Sequence, residues 1–452
     1  MTATCATHSS PSGDTGALRR GACPSIATPM QTGDGLLVRL RPVAAALTAQ
    51  DLLALAHLAR AHGNGLVEIT ARGNLQLRGL TEASVPPLAA DLAVAGIVPQ
   101  TGVAIEVPPL AGIDPTELAD AAPIANALRA ALAGAALSLA PKLAIVVDGG
   151  GVLSLADMVA DIRLDAVAGA QGLAWRLSLG GDRVTARPVA LLPRERVVEG
   201  VMATAAALAA IGPAARGRDL DPALLAAALG ADSAPPLPAV PPVHPLGAHR
   251  IGTETVLGLA PAYGQIHADR LVALVHALAG CGATEFRLAP HHTLLVRGLT
   301  AETLAAAEAA AMREHVWSRQ DAPGRSVSVC AGSSGCASAS FDTHAAADAL
   351  VAGAGDLLDG SFDVHVSGCP KGCAHPAAAA ITLCGTAAGV GLVLSGRAGD
   401  AAAATLPAEA LAPALTRLGT LLRTRRADGE TAGTLIDRTA PALLASAYQG
   451  RQ

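Results

Sequence analysis

Aromatic side chains are nearly missing from this chain: two Trp, two Tyr and three Phe make up 2% of its 452 residues. Bases would find no stacking platform, and a formal net charge of −5 removes the basic patch that a nucleic-acid surface needs. Lysine is scarcer still, with only Lys142 and Lys371 beside thirty arginines among the 32 basic residues. The start, "MTATCATHSSPSGDTGALRRGACPS", has no apolar leader and reads as a flexible tail over residues 1–21. A membrane span is not expected either. The run Pro376 to Gly396 is long enough to span, but Gly385, Thr386, Gly389, Gly391 and Gly396 break it into two buried strands around a Gly-rich turn. A chain this long with eight cysteines and no secretory signal is expected to keep its thiols reduced or on a metal, in the cytoplasm, rather than in disulfides.

What is present is aliphatic bulk, 51% apolar residues, and a length that suggests roughly three to four domains. The stretch "DSAPPLPAVPPVHPLGAHR", from Asp232, holds six prolines and almost no periodicity, so residues 232–249 read as a linker near the midpoint. On either side of it the chain repeats without a gap. "DLLALAHLARAHGNGLVEITARGNLQLRGLT" from Asp51 matches "RLVALVHALAGCGATEFRLAPHHTLLVRGLT" from Arg270, an offset of 219, and both copies end on Arg-Gly-Leu-Thr. Each copy reads as helix, Gly break, strand, tight turn and strand, preceded by "GLLVRLRP" or "TETVLGLAP" as a further strand. That is about half of a split βαβ unit, and two halves are expected to pair into one pseudo-symmetric sheet around a crevice. The expected division is a half-domain over 22–90, an α/β domain over 91–231, a second half-domain over 250–315 and a second α/β domain over 316–452, with a C-terminal helix from about Ala408 to Arg425.

Two close cysteine pairs, "CAGSSGC" (Cys330, Cys336) and "CPKGC" (Cys369, Cys373), supply four thiols. The spacing C-x5-C is wide for a structural zinc knuckle, whereas a 4Fe-4S cubane spreads its ligands and suits Gly- and Ser-rich loops. The cluster is favoured over zinc on that ground. Cys5, Cys23, Cys281 and Cys384 lack partners at ligand spacing, and Cys281 and Cys384 read as small buried hydrophobes.

C-x5-C followed by S-G-C-x3-C resembles the sirohaem and cluster motif of the nitrite and sulfite reductases, a family also built as a pseudo-twofold repeat. The resemblance implies an α+β fold in which two ferredoxin-like half-domains pair and two larger α/β domains flank them. It implies that Cys330, Cys336, Cys369 and Cys373 hold a 4Fe-4S cluster. "TARGNLQLRG" is similar to the family's tetrapyrrole strand, giving Arg72, Asn74 and Gln76, and "PKLAIVVDGGG" to its P-x-K segment, giving Lys142. The two lysines, Lys142 and Lys371, both fall in these motifs, where a compact point charge is not replaceable by Arg.

The departures select a branch. The reductases complete an anion pocket with an R-N pair and a second lysine; Val103, Ala104 and Ala144 stand at those places, and Ala380 replaces an acid. "TGDGLLVRLRP", "PLAGIDP", "DIRL", "PAYGQIHADRL" and "CPKGCAHP" resemble the precorrin-3B synthase branch instead, with Ala331 in place of its usual proline. That likeness implies a monooxygenase of cobalamin biosynthesis that hydroxylates precorrin-3A at C20 with dioxygen and closes a ring-A acetate as a lactone. The implied cofactors are the cluster, a non-haem iron and reduced pyridine nucleotide acting through an electron donor. Arg72 and Lys142 would be catalytic. Arg39, Arg41, Arg72, Asn74, Gln76, Arg78, Lys142 and Lys371 would hold the polycarboxylate substrate, since Arg matches carboxylates bidentately. Arg297 repeats Arg78, and both fit a structural role at strand ends equally well. The ligands of a mononuclear iron do not stand out, although His291 and His292 face Arg72 and Gly73 across the repeat, and His365 and His375 flank the cysteine motif. The alternative is a sirohaem-dependent nitrite or sulfite reductase.

Overall fold

Alternating aliphatic residues build four five-stranded sheets in a computed structural model that describes residues 24–42, 45–169, 172–231 and 234–451. The expected tail over residues 1–21, with Cys5, lies outside the described residues, as does Cys23 just after it. In the first repeat the strand Gly35–Leu40 buries Val38 and Leu40 on one face, and Leu75–Leu80 buries Leu75 and Leu77 beside them. The helix Ala49–His62 is opened by a capping box in which the Thr48 hydroxyl accepts from the Asp51 N–H and the Asp51 carboxylate accepts from the Thr48 N–H. It sets Leu52, Leu55 and Ala56 against those strands.

The repeats do not merge into one sheet, as the sequence had suggested; each keeps its own and lends its partner a short edge. Gln265–His267 from the second repeat pairs antiparallel with Leu66–Ile69 of the first, Ile266 opposite Val67. Leu47 from the first bridges Phe286 of the second. The offset of 219 carries Leu47 onto Ile266 and Val67 onto Phe286, so the two exchanges are one contact repeated by the pseudo-dyad. The two turns meet on that axis, where the His291 N–H donates to the Ala71 carbonyl at 2.8 Å. Gly73 (φ 73°) and its counterpart His292 (φ 61°) are both left-handed there, and a Cβ on Gly73 would lie 2.8 Å from the Ala289 carbonyl.

The expected crevice between the half-domains is filled. Val38, Leu55 and Leu77 share one aliphatic core with Leu257, Leu274 and Val296, leaving a small apolar gap lined by residues such as Leu52, Ile69, Leu259 and Leu294. The linker also ends earlier than expected: Gly247–Ile251 is a strand paired with Glu254–Pro261, the counterpart of Met30–Thr32 on Gly35–Leu40.

The flanking domains are duplicated as well. Strands Ala104–Glu106, Ala144–Asp148, Ala160–Gly169, Gly172–Gly181 and Arg187–Leu192 run parallel, parallel, antiparallel, antiparallel. Val327–Val329, Val364–Ser367, Ala379–Thr386, Gly389–Gly396 and Ala404–Leu406 follow the same order and directions. Ala379–Thr386 and Gly389–Gly396 are the two strands expected within the uncharged run. The C-terminal helix is Leu411–Arg425, and two further helices, Ala432–Arg438 and Pro441–Gln449, close the core through buried Tyr448. No helix among the described residues is long and apolar enough to cross a membrane.

Candidate active site

The cysteine centre is built by two loops at the ends of neighbouring parallel strands. Val327–Val329 leads into Cys330 and Val364–Ser367 into Cys369, and their pairing places both loops on one edge. The Gly368 N–H donates to Cys330 Sγ at 3.2 Å, and the Thr343 hydroxyl anchors the Cys330 carbonyl at 2.7 Å. Burial raises the pKa of Cys373, and the charges of Cys369, Cys330 and Cys336 raise it further, so the other three thiols lie within electrostatic reach of Cys373. Lys371 opposes that repulsion and donates to Ser338 Oγ at 3.0 Å, tying the second loop to the first. Among the described residues no three His, Cys, Asp or Glu side chains converge tightly enough for one metal ion. For a mononuclear iron the described residues offer no matching ligand set.

Behind the loops lies a polar face that the sequence did not reveal. His365 is fully buried, and neither ring nitrogen has a hydrogen-bond partner. Burial, with a smaller contribution from His375, lowers its pKa to about 4 and keeps it neutral. Cys384, expected as a small hydrophobe, is buried on the adjoining strand. Burial, then the charges of Cys369 and Cys330, push its thiol up to about 11.

The outer faces of the two half-domain sheets differ in a telling way. On the first sheet Arg39 donates to Gln76 Oε1 at 3.0 and 3.3 Å, and Gln76 donates to Glu68 at 2.5 Å. The pseudo-dyad places Gly258 and Leu295 at the positions of Arg39 and Gln76. There Leu295, Val256 and Ala289 pack against Leu110 and Leu153 in a small apolar cluster. The second face is sealed by the flanking domain of the first half, whereas the first face keeps a polar surface.

The expected substrate residues divide accordingly. Arg78 is spent internally: it grips Asp34 through two hydrogen bonds of 2.9 Å and Glu68 through one of 3.1 Å. Arg297 clamps Glu254 at 2.7 Å in the same manner, so the structural role accounts for both. Asn74 is buried, and its Oδ1 takes the Arg41 Nε–H at 2.9 Å, so it braces a turn rather than facing a ligand. Arg41 also pairs with Glu106 at 3.1 Å. Arg39 and Gln76 hold each other on the polar face. Lys142 and Lys371 are exposed, and Arg72 is half-buried.

A buried ion network that sequence reasoning had passed over places Arg72. Its Nη2–H donates to the Val159 carbonyl at 2.9 Å. The loop carrying Val159 is fixed by Arg163, which donates to the Leu155 and Met158 carbonyls at 2.9 and 3.1 Å and pairs with Asp148 and Asp165 at 2.9 and 2.8 Å. Lys142 stands just before the neighbouring strand, whose Ile145 pairs with Ile162. Beside Arg72, His291 contacts Asp157 at 3.2 Å. The "DIRL" motif is thus the scaffold of the loop that holds Arg72.

Four sheets in two pseudo-equivalent halves, with four thiols at one strand edge, define the fold of the nitrite and sulfite reductases. The description "Nitrite/Sulfite reductase ferredoxin-like half domain" matches residues 28–95. The NirA protein of Mycobacterium tuberculosis superposes with a TM-score of 0.65 at 21% identity, over 90% of this chain and 84% of that one. Within that fold a particular branch is reached through a curated precorrin-3B synthase from a Sinorhizobium species, 46% identical over 445 residues, 97% of this chain and 96% of that protein. The chain belongs to the precorrin-3B synthase family, a family of enzymes.

Proposed function

We propose that this enzyme is a dioxygen-dependent monooxygenase that hydroxylates precorrin-3A at C20 and closes a ring-A acetate as a lactone, giving precorrin-3B. One observation carries the reading from the structure's side: the reductases' anion pocket is missing at a single place. Ala104 and Ala144, which stand where the reductases carry a polar residue and a second lysine, are direct partners across parallel strands, so two methyl groups meet where a small anion would need donors. A sirohaem-dependent reductase of nitrite or sulfite is correspondingly disfavoured.

In this reading Cys330, Cys336, Cys369 and Cys373 hold a 4Fe-4S cluster, which supplies electrons one at a time from a reduced donor. The four-thiol donor set, the Gly368 N–H on Cys330 and the nearby Lys371 ammonium all favour a negatively charged cluster. The polar face of the first sheet receives the macrocycle. Arg39 and Gln76 line it; Arg72 and Lys142 meet the peripheral carboxylates from the rim, and Lys371 does so beside the cluster loop. Arg72, held by the Val159 carbonyl, orients the substrate. No step is assigned to a mononuclear iron. None of the six described cysteines is in a disulfide, which is compatible with a reducing cytoplasm.

The test is anaerobic purification with iron, sulfide and visible spectra, followed by addition of precorrin-3A, a reductant and air. Iron and sulfide in near-equal amounts, no resident tetrapyrrole and consumption of precorrin-3A are expected. A purified protein that carries sirohaem and leaves precorrin-3A untouched would overturn the proposal.

A further inference from the structure

The four cysteines all lie in the second half of the chain, yet the first half touches one of them closely. The turn Thr32–Gly35 joins the first two strands of the first sheet and lies against Cys336. A Cβ on Gly33 would stand 2.1 Å from Cys336 Sγ and 3.2 Å from Ser338 Oγ. No side chain larger than hydrogen fits there without moving the thiol. The Ala337 N–H donates to the Gly33 carbonyl at 2.9 Å, fastening the turn to the residue after Cys336. Ser338 is the same residue that Lys371 reaches from the other cysteine loop.

The turn is held down from behind. Thr32 donates its hydroxyl to Asp34 Oδ1 at 2.6 Å and to the Gly35 carbonyl at 2.8 Å. Asn64 Nδ2 donates to Asp34 Oδ2 at 3.1 Å. Arg78 closes the clamp with its two bonds to Asp34 and its third to Glu68. The Asp34 side chain is 4% exposed and that of Arg78 15%, so solvent screens this pair little.

The second half supplies a natural control. Its corresponding turn carries Gly252 at the place of Gly33, and the Arg297–Glu254 pair clamps it. There a Cβ on Gly252 would meet Pro115, at 3.2 Å, instead of a thiol. One device serves packing alone in one half; in the other it covers a cysteine.

We propose that the turn Thr32–Gly35, clamped by Arg78 through Asp34, is a cap that completes the four-cysteine centre over Cys336 and sets how long that centre survives dioxygen. The inference rests on the cluster reading above. It assigns Gly33 and Asp34 as positioning residues of a centre whose ligands belong to the other half of the chain. An enzyme that consumes dioxygen must keep that gas from its own cluster, and the Cys336 side is the edge that this turn closes.

The experiment compares the full-length protein with Gly33→Ala, Asp34→Asn, Thr32→Val and Arg297→Ala, all purified anaerobically. Iron and sulfide are counted, and the visible absorbance is then followed in air. Of the three cap variants, Gly33→Ala and Asp34→Asn are expected to bleach at least threefold faster than the parent. Thr32→Val, which removes the hydroxyl's contacts with Asp34 and the Gly35 carbonyl but leaves the Arg78–Asp34 pair, is expected to lie between. Arg297→Ala is expected to lower the melting temperature while bleaching at the parental rate. Equal bleaching of the parent and all three cap variants, or faster bleaching of Arg297→Ala to the same degree, would overturn the cap. A second readout needs no metal: in metal-free parent protein iodoacetamide should label Cys336 more slowly than Cys373, and Asp34→Asn should erase the difference. Equal labelling in the parent refutes the cap. A parent without iron or sulfide refutes the cluster reading and leaves the labelling arm to decide the cap.

Discussion

Replacing Arg163 by Met should cost this protein more stability than any single change in its charged surface. The guanidinium is fully buried, as are Asp148 and Asp165 beside it. Nε–H donates to both Asp165 oxygens at 2.9 and 3.0 Å, and Nη1–H satisfies the Leu155 and Met158 carbonyls. Met fills a similar volume but leaves two carboxylates facing each other without their common cation. Breaking a buried pair by removing one partner costs about 3–5 kcal/mol, because the remaining charge is uncompensated. Asp148, whose pKa burial already raises, would take up a proton and recover part of that. Arg183 at 3.4 Å and Arg176 at 4.0 Å soften the loss at Asp165. A net loss of roughly 3 kcal/mol remains, which at about 2–4 °C per kcal/mol lowers the transition of this unit by roughly 6–12 °C. Urea unfolding followed by far-UV circular dichroism measures it, with Asp148→Asn/Arg163→Met as the second arm: neutralising one stranded charge should restore at least about 1 kcal/mol. The loop that carries Val159 would also loosen, so affinity for the tetrapyrrole should fall through Arg72. A loss below about 1 kcal/mol, with affinity unchanged, would refute the reasoning.

Other expectations are narrower. Cys369→Ser should abolish iron retention while leaving the melting temperature of the metal-free protein within a few degrees, as iron analysis and calorimetry would show. Gln76→Leu installs the residue that the second repeat carries at Leu295; it should weaken precorrin-3A binding about tenfold or more without loss of stability, measured by fluorescence titration. Acid should destabilise the metal-free protein through His365. Its folded pKa of about 4 lies below the ordinary 6.5, so the unfolded chain binds the proton first. The contribution is intact above pH 6.5 and disappears as pH falls towards 4, up to roughly 3 kcal/mol in all. His365→Leu should flatten the urea-midpoint profile over that window, and an unchanged slope would count against a neutral buried imidazole.

The repeat was legible because it is written in side chains: matched Ala, Leu, His and Gly at one offset, and the shared Arg-Gly-Leu-Thr ending. The strands around Gly385 to Gly389 were legible for the same reason, apolar runs broken by glycine. Segments of three residues carry no period, so the exchange of Leu47 and Ile266 between sheets could not be read. The duplication of the flanking domains was hidden because backbone direction is kept while residues are not; Gly149-Gly150 stands where Gly368-Cys369 does. At the site, spacing exposed the four cysteines and the turns exposed Arg72. The fate of Arg78 and Asn74 depended on Asp34 and Arg41, partners that only the folded register supplies. His365 stood out only as a flank of the cysteine motif, and nothing in "DVHVSGC" announces that its ring is buried without a hydrogen-bond partner.

The central claim is that the tetrapyrrole is consumed with dioxygen beside the cysteine centre. Incubation with precorrin-3A and isotopically labelled dioxygen, read by mass spectrometry of the product, tests it most directly. The account predicts one labelled oxygen at the new C20 hydroxyl of a lactone-bearing product. A product labelled only from water, or unaltered precorrin-3A beside reduction of sulfite or nitrite, would contradict it.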